Sequence, residues 1–182
     1  NYDYKVELPL ANQILPVLNL SNPLNTYVGN ADLKPTKQHS FYLNYNNYNW
    51  QERNGIFFYG GMNIYKDQIV SSTVYDADFK ATTTYQNVDS GASSYFGATW
   101  SKSFKKEKRN LRLSIGLDSG YNFNQGLTNA ELYEAKSWRA EPKVSLNWSI
   151  EELVTIAPSY RYSYNSTDYK NYQIDKADNF VH

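Results

Sequence analysis

The chain has 182 residues, with 18 Lys+Arg matched by 18 Asp+Glu, no Cys, and aromatic side chains at 16% of positions. Zero net charge argues against a nucleic-acid binder, which carries a basic excess on one face, and the lack of Cys removes disulfide frameworks, thiol catalysis and Cys-ligated zinc. His39 and His182 are too few imidazoles for a metal cluster, so neither metal nor other cofactor is expected.

Asn1 to Leu10 shows polar and aromatic alternation where a secretory signal would show a basic start and an apolar core. At the other end, Asp178-Asn179-Phe180-Val181-His182 carries no turn or cap. Both ends therefore read as cut from a longer protein. Residues 1–36 read as a strand followed by a structured loop, and 37–182 as successive β-hairpins.

No window approaches the roughly 18 apolar residues that a spanning helix needs. Strands that alternate apolar and polar residues escape that test, because alternation keeps the mean hydropathy low, here −0.70. The 18 Tyr residues are interleaved with Asn, Ser, Thr and Gly, a mixture that favours strands and turns.

The first clear strand is expected from Gln38. In it Phe41, Leu43 and Tyr45 alternate with Tyr42, Asn44 and Asn46. Phe58, Gly60, Met62 and Ile64 then alternate with Tyr59, Gly61, Asn63 and Tyr65, and Phe96, Ala98 and Trp100 mark a further strand. The period is cleanest from Leu111 to Asn124, where Leu111, Leu113, Ile115, Leu117, Tyr121 and Phe123 oppose Arg112, Ser114, Asp118 and Asn122. Trp138 to Ile150 and Val154 to Tyr164 repeat the design. These segments predict an all-β, antiparallel up-and-down meander of about seven or eight long strands.

Short polar turns are expected at Asn49 to Asn54, Lys105 to Asn110 and Glu151 to Leu153, and longer links near Tyr75 to Lys80, Gln125 to Ala135 and Ser166 to Asn171. Alternating short and long connections suit an outer-membrane barrel, with tight periplasmic turns and larger extracellular loops. Keeping the apolar faces together sets Ile150 opposite Val154, Trp148 opposite Ile156 and Leu146 opposite Pro158. It likewise sets Phe104 opposite Leu111, Trp100 opposite Ile115 and Ala98 opposite Leu117. Pro142 and Pro158 each delete a ladder donor, which predicts a bulge or a locally open ladder.

Trp100 and Trp148 near short turns, and Trp138 near a long link, suit two interfacial girdles, with Trp50 a further marker. Arg112, Asp118, Arg139, Glu141, Lys143 and Arg161 share the polar face; in a barrel they line the lumen and pair across strands, a plainly solvated sheet face accounts for them equally, and none is assigned as a binding residue. Lys105-Lys106-Glu107-Lys108-Arg109 reads as a polar turn, Asp76 and Asp78 as turn chemistry in preference to a calcium site, and Glu151-Glu152 as a turn without a pocket. No nucleophile elbow, phosphate loop or dinucleotide fingerprint occurs, so no enzyme activity, no catalytic residue and no cofactor- or metal-binding residue is assigned.

One loop carries more than turn chemistry. Leu15-Pro16-Val17, Asn22-Pro23-Leu24 and Gly29-Asn30-Ala31-Asp32-Leu33-Lys34-Pro35 precede the aromatic strand Ser40-Phe41-Tyr42-Leu43-Asn44-Tyr45. Gly29-Asn30 suits a positive-φ turn, Leu33 an anchor, and Pro35 a fixed φ before the strand. The stretch resembles the barrel of TonB-dependent outer-membrane receptors, especially the outer-membrane β-barrel family of Bacteroidetes, with Ala31 where that family commonly has Pro and Thr36 where it has an acidic or small polar residue.

The resemblance implies a bacterial outer-membrane barrel of roughly 22 strands around a plug, of which this chain supplies roughly a third. Its implied partners are membrane lipid, the rest of the barrel and its plug, the TonB complex through an N-terminal part, and an unidentified nutrient. From another class stands a soluble extracellular β-sandwich that binds carbohydrate, with shorter strands and no alternation of turn length.

Overall fold

The computed structural model describes residues 1–16, 24–78, 80–151 and 153–171, and the backbone of 177–181. In chain order they form β1 (Tyr2–Glu7), the single helical turn α1 (Ala11–Ile14), β2 (Asn25–Tyr27), β3 (Thr36–Asn49), β4 (Asn54–Tyr75), β5 (Ala81–Lys106) and β6 (Arg109–Thr128). Then come β7 (Glu131–Ile150), β8 (Val154–Ile156), β9 (Ser159–Arg161), β10 (Ser163–Lys170) and β11 (Ala177–Val181). All strands belong to one sheet, ordered β1-β3-β4-β5-β6-β7-β10-β11, with β8 and β9 also on β7. Consecutive members of that path run antiparallel, as a meander requires. Among the described residues no pairing joins β1 to β11, so the sheet is an open arc.

The registers are those that the apolar alternation demands. Phe104 faces Leu111, Trp100 faces Ile115 and Ala98 faces Leu117. Ile115 continues to Val144, and Val144 to Tyr160. In the other direction Ala98 meets Phe58, and Phe58 meets Tyr45. One apolar face therefore crosses the whole sheet.

Among the described residues that face has no second layer. Leu43 is 62% exposed, Phe104 54% and Ile156 53%, while the apolar residues buried among those described are Ala81 and Val88. A soluble sandwich hides such a face against another sheet. The single sheet removes the sandwich alternative. Along β6 the stretch Leu111 to Phe123 runs roughly 40 Å, which at a tilt near 45° projects to about 28 Å, close to the hydrocarbon thickness of a bilayer.

Pro142 and Pro158 open their ladder without bulging it. The partners Trp148↔Ile156, Lys143↔Arg161 and Tyr164↔Ala140 keep one register from end to end. Leu146 N donates to Pro158 O at 3.0 Å and Tyr162 N to Pro142 O at 3.1 Å, so each proline accepts but returns no bond. The missing donors divide what is otherwise one strand into β8, β9 and β10.

The expected link at Gln125 to Ala135 is instead ladder. β6 and β7 pair as far as Thr128↔Glu131, and the turn is Asn129-Ala130 alone, with φ of 50° and 61°. That left-handed pair is the two-residue hairpin geometry that matches strand twist. Polar residues at both parities, Asn124, Gln125, Thr128, Glu131 and Glu134, hide the period of these strands. Likewise β10 extends to Lys170 and takes up all of the expected link at Ser166 to Asn171 except its last residue. β3 begins at Thr36, ahead of the expected Gln38, because Glu7 of β1 pairs there. The difference between the two ends thus lies in strand length more than in loop length.

The tallest hairpin bends over. Its wall pairings to β3 and β6 end at Lys66 and Ala92, after which β4 and β5 continue with each other to Tyr75↔Ala81. At the junction Asp67 takes a left-handed φ of 57° and its rung is missing from the ladder. Past it β4 pairs in parallel with β6 at Ser72↔Leu127, and β5 pairs in parallel with β2 at Ala81↔Asn25. Ser72 (1% exposed) and Val88 (4%) lie in this fold-over.

Candidate functional site

The register gathers most of the predicted polar-face residues. Asp118 lies opposite Glu141, and Lys143 opposite Arg161. Two carboxylates placed directly across a ladder repel, so each is matched by a cation. Lys143 Nζ reaches Asp118 Oδ2 at 2.8 Å and Arg139 reaches Glu141 Oε2 at 2.8 Å. The Tyr59 hydroxyl donates to Asp118 Oδ1 at 2.9 Å, and Ser163 Oγ to Glu141 Oε1 at 2.8 Å. Arg161 lies within electrostatic reach of both acids. Arg112 stands apart, between Ser103 and Asn147.

Sequence reasoning missed how glycines build this face. A Cβ on Gly61 would lie 2.6 Å from the Tyr95 ring, one on Gly116 2.5 Å from Lys143 Cε, and one on Gly97 would strike the Tyr59 ring. Each glycine is a pit filled from the neighbouring strand. The signal was available as Gly60-Gly61, Gly97 and Gly116 in otherwise bulky strands. The Tyr59 and Tyr95 rings sit 6.1 Å apart and border an open concavity of about 520 Å³ with Asn122 and Asn165. It offers ring faces and amides, the chemistry of hydrogen bonding and stacking.

The loop with the Gly-Asn to Lys-Pro motif straps the bent hairpin. Val17 and Asn22-Pro23 lie outside the described residues; Gly29 to Pro35 lie within them. Gly29 does not take the expected positive φ: it is required because the Leu15 carbonyl packs against its Cα. Asn30 is held at three points, its N donating to Gln13 O at 2.6 Å, its Nδ2 to Tyr85 O at 2.9 Å, and its Oδ1 accepting from Asp32 N at 3.0 Å. Asn87 imitates a backbone partner for Lys34, accepting from its N at 2.8 Å and donating to its O at 2.9 Å, while also donating to Asp67 O at 2.7 Å.

Aromatic side chains bracket the apolar band. Trp100 (beside Ile56) and Trp148 (beside Leu111) sit toward the short turns, whereas Trp50, 82% exposed, meets the Tyr48 ring edge-on at 4.7 Å on the polar side. Toward the other end Trp138 faces Tyr121 and meets the Tyr164 ring edge-on at 5.9 Å. Asp76 serves its turn, accepting from Asp78 N and Lys80 N at 2.9 Å each. Lys105 to Arg109 form a tight hairpin with Glu107 at φ 50°; Glu152 lies outside the described residues. Among the described residues no three His, Cys, Asp or Glu side chains gather as a metal site.

A one-layer sheet with an uncovered apolar face between aromatic belts, and charged, hydrogen-bonded side chains on its other face, is the wall of a transmembrane β-barrel. The model of the outer membrane protein beta-barrel family matches residues 1–181, and the chain belongs to that family. Its place is the bacterial outer membrane, with the apolar face on lipid. No curated protein and no solved structure gives a significant match.

Proposed function

We propose that this wall belongs to a TonB-dependent transporter that takes up a scarce nutrient, with its short turns toward the periplasm and its tall hairpins outside. The observation that carries this reading is the strapped loop Gly29 to Pro35, whose sequence resembles such receptors and whose backbone fixes a tall hairpin at one mouth of the wall. The polar face then lines the passage beside a plug, and energy arrives through TonB. The chain itself performs no catalysis in this reading.

The test is deletion of the gene for the whole protein, followed by growth on a panel of glycans, oligopeptides and metal chelates as sole sources. Growth on one class should fail, and uptake of that class by the parent strain should stop when a protonophore collapses the inner-membrane gradient. Unchanged growth on every source, or uptake indifferent to the protonophore, overturns the reading.

A further inference from the structure

The polar face is paved over its glycines at every strand position but one. Gly55, Gly61, Gly91, Gly97, Gly116 and Gly126 each lie beneath a side chain of an adjacent strand, with an atom no more than 2.7 Å from where a Cβ would stand. Gly120 is left bare: a Cβ there meets its nearest neighbour, Ser94 O, at 3.7 Å. The registers explain the gap. Gly120 stands between Tyr95 on β5 and Arg139 on β7, with Asn165 of β10 next in the same row. Tyr95 leans the other way, over Gly61, and Arg139 is drawn to Glu141 at 2.8 Å, so neither covers the pit.

Gly120 lies in the lining of the concavity of about 520 Å³, a volume within the roughly 300–1,000 Å³ of small-ligand sites. A Cβ on Gly61 would stand 2.6 Å from Cε1, Cζ and Oη of Tyr95 alike, which puts it above the ring plane and not at the ring's edge. Tyr95 therefore lies face-down on β4 and, being exposed, shows its other face to the open side. The Asn122 amide, two residues beyond Gly120 on the same face, has no hydrogen-bond partner among the described residues.

The lining also says what the ligand is not. Its charged members are matched in place, Asp118 by Lys143 and Arg139 by Glu141 at 2.8 Å each, so an anionic chelate finds no unmatched cation in the lining. The strands here are paired on both sides, so an extended peptide finds no free edge to join. What is offered is one aromatic face beside amides that both donate and accept. Hydroxyl groups do the same, and the C–H face of a sugar ring carries the partial positive charge that an aromatic face attracts.

We propose that this concavity is a subsite for one sugar ring of an uncharged glycan, stacked on Tyr95 above Gly120 and hydrogen-bonded to Asn122 and Asn165. That the glycan is the transported nutrient rests on the transporter reading above; the binding does not.

The experiment probes the whole protein, labelled and in detergent, against an array of neutral, sulfated and uronic-acid oligosaccharides, with neutral tetrapeptides and a ferric catecholate chelate as further probes. Neutral oligosaccharides should bind, and added salt should not weaken them. Gly120→Val fills the pit and should lower affinity for the bound glycan roughly tenfold. Gly120 has no left-handed φ, so circular dichroism of this variant should match the parent. Asn122→Ala should weaken binding several-fold, and Ser101→Val, on the same face toward the short turns, should leave it unchanged. Binding of no neutral glycan, binding of the charged, peptide or chelate probes alone, or parent-like affinity in Gly120→Val each overturns the proposal. A glycan that binds as stated but is not taken up by cells overturns the transporter reading alone.

Discussion

The Tyr59 ring lies directly over Gly97, in the space a side chain there would fill. Its hydroxyl is tethered to Asp118, so the ring cannot swing aside freely. Gly97→Ala should therefore destabilise the folded sheet by about 1–3 kcal/mol in denaturant titration in detergent. Gly120→Ala should be neutral or slightly stabilising, because a Cβ there meets its nearest neighbour, Ser94 O, at an ordinary 3.7 Å. Adding Tyr59→Ala should remove most of the Gly97→Ala penalty, leaving the approach to Asp118 Oδ1 at 2.7 Å; additive losses would disprove the contact.

Asn87→Ala removes three hydrogen bonds that tie Lys34 and Asp67 together. The expected result is local opening by about 1–3 kcal/mol, with the wall hairpins retained. Hydrogen exchange should accelerate at Val28 and Asn30, whose amides bond to Thr83 O and Gln13 O. Unchanged exchange at both amides would mean the strap is held by something else.

Ile115→Arg places a charge in the middle of the lipid-facing band and should cost about 2–4 kcal/mol in bilayer-equilibrated unfolding. Ser101→Arg, on the opposite face, should be tolerated within about 1 kcal/mol. Equal penalties would argue against the assignment of faces.

Pro158→Val supplies the donor missing opposite Leu146 and should join β8 to β9. The gain is about 1 kcal/mol or less, because the unfolded chain also regains freedom. Protection of the new amide from exchange is the direct readout; exchange as fast as in a turn would show that the ladder stays open.

Asp118 and Lys143 form a half-exposed pair, with side-chain exposures of 26% and 34%. A double-mutant cycle with Asp118→Asn and Lys143→Met should give a coupling of about 1 kcal/mol, reduced by salt. Zero coupling at low salt would reduce the pair to proximity.

The wall was legible where one face is apolar. From Leu111 to Ile156 the alternation fixed each register, because a slip of one residue would turn Ile115 and Val144 away from lipid. Above that band the signal ends: around Gly126 and Tyr133 polar residues occupy both parities of the strands, so a continuous ladder reads as a loop. The fold-over at Asp67 has no periodic signature, since it depends on one left-handed residue and on partners as distant as Asn25 and Leu127. The charged residues of the polar face were found, but their tyrosine and glycine partners were not, because those contacts lie across strands and diagonals.

The wall follows chain order, strand beside next strand, and this bears on how such a protein can change in evolution. A hairpin such as β6 and β7 resembles a stave, and loss or duplication of a stave would alter circumference without disturbing distant neighbours. The bent hairpin is the exception. Because β4 grips β6 and β5 grips β2, the staves from β2 to β6 are interlocked and can be inherited only together.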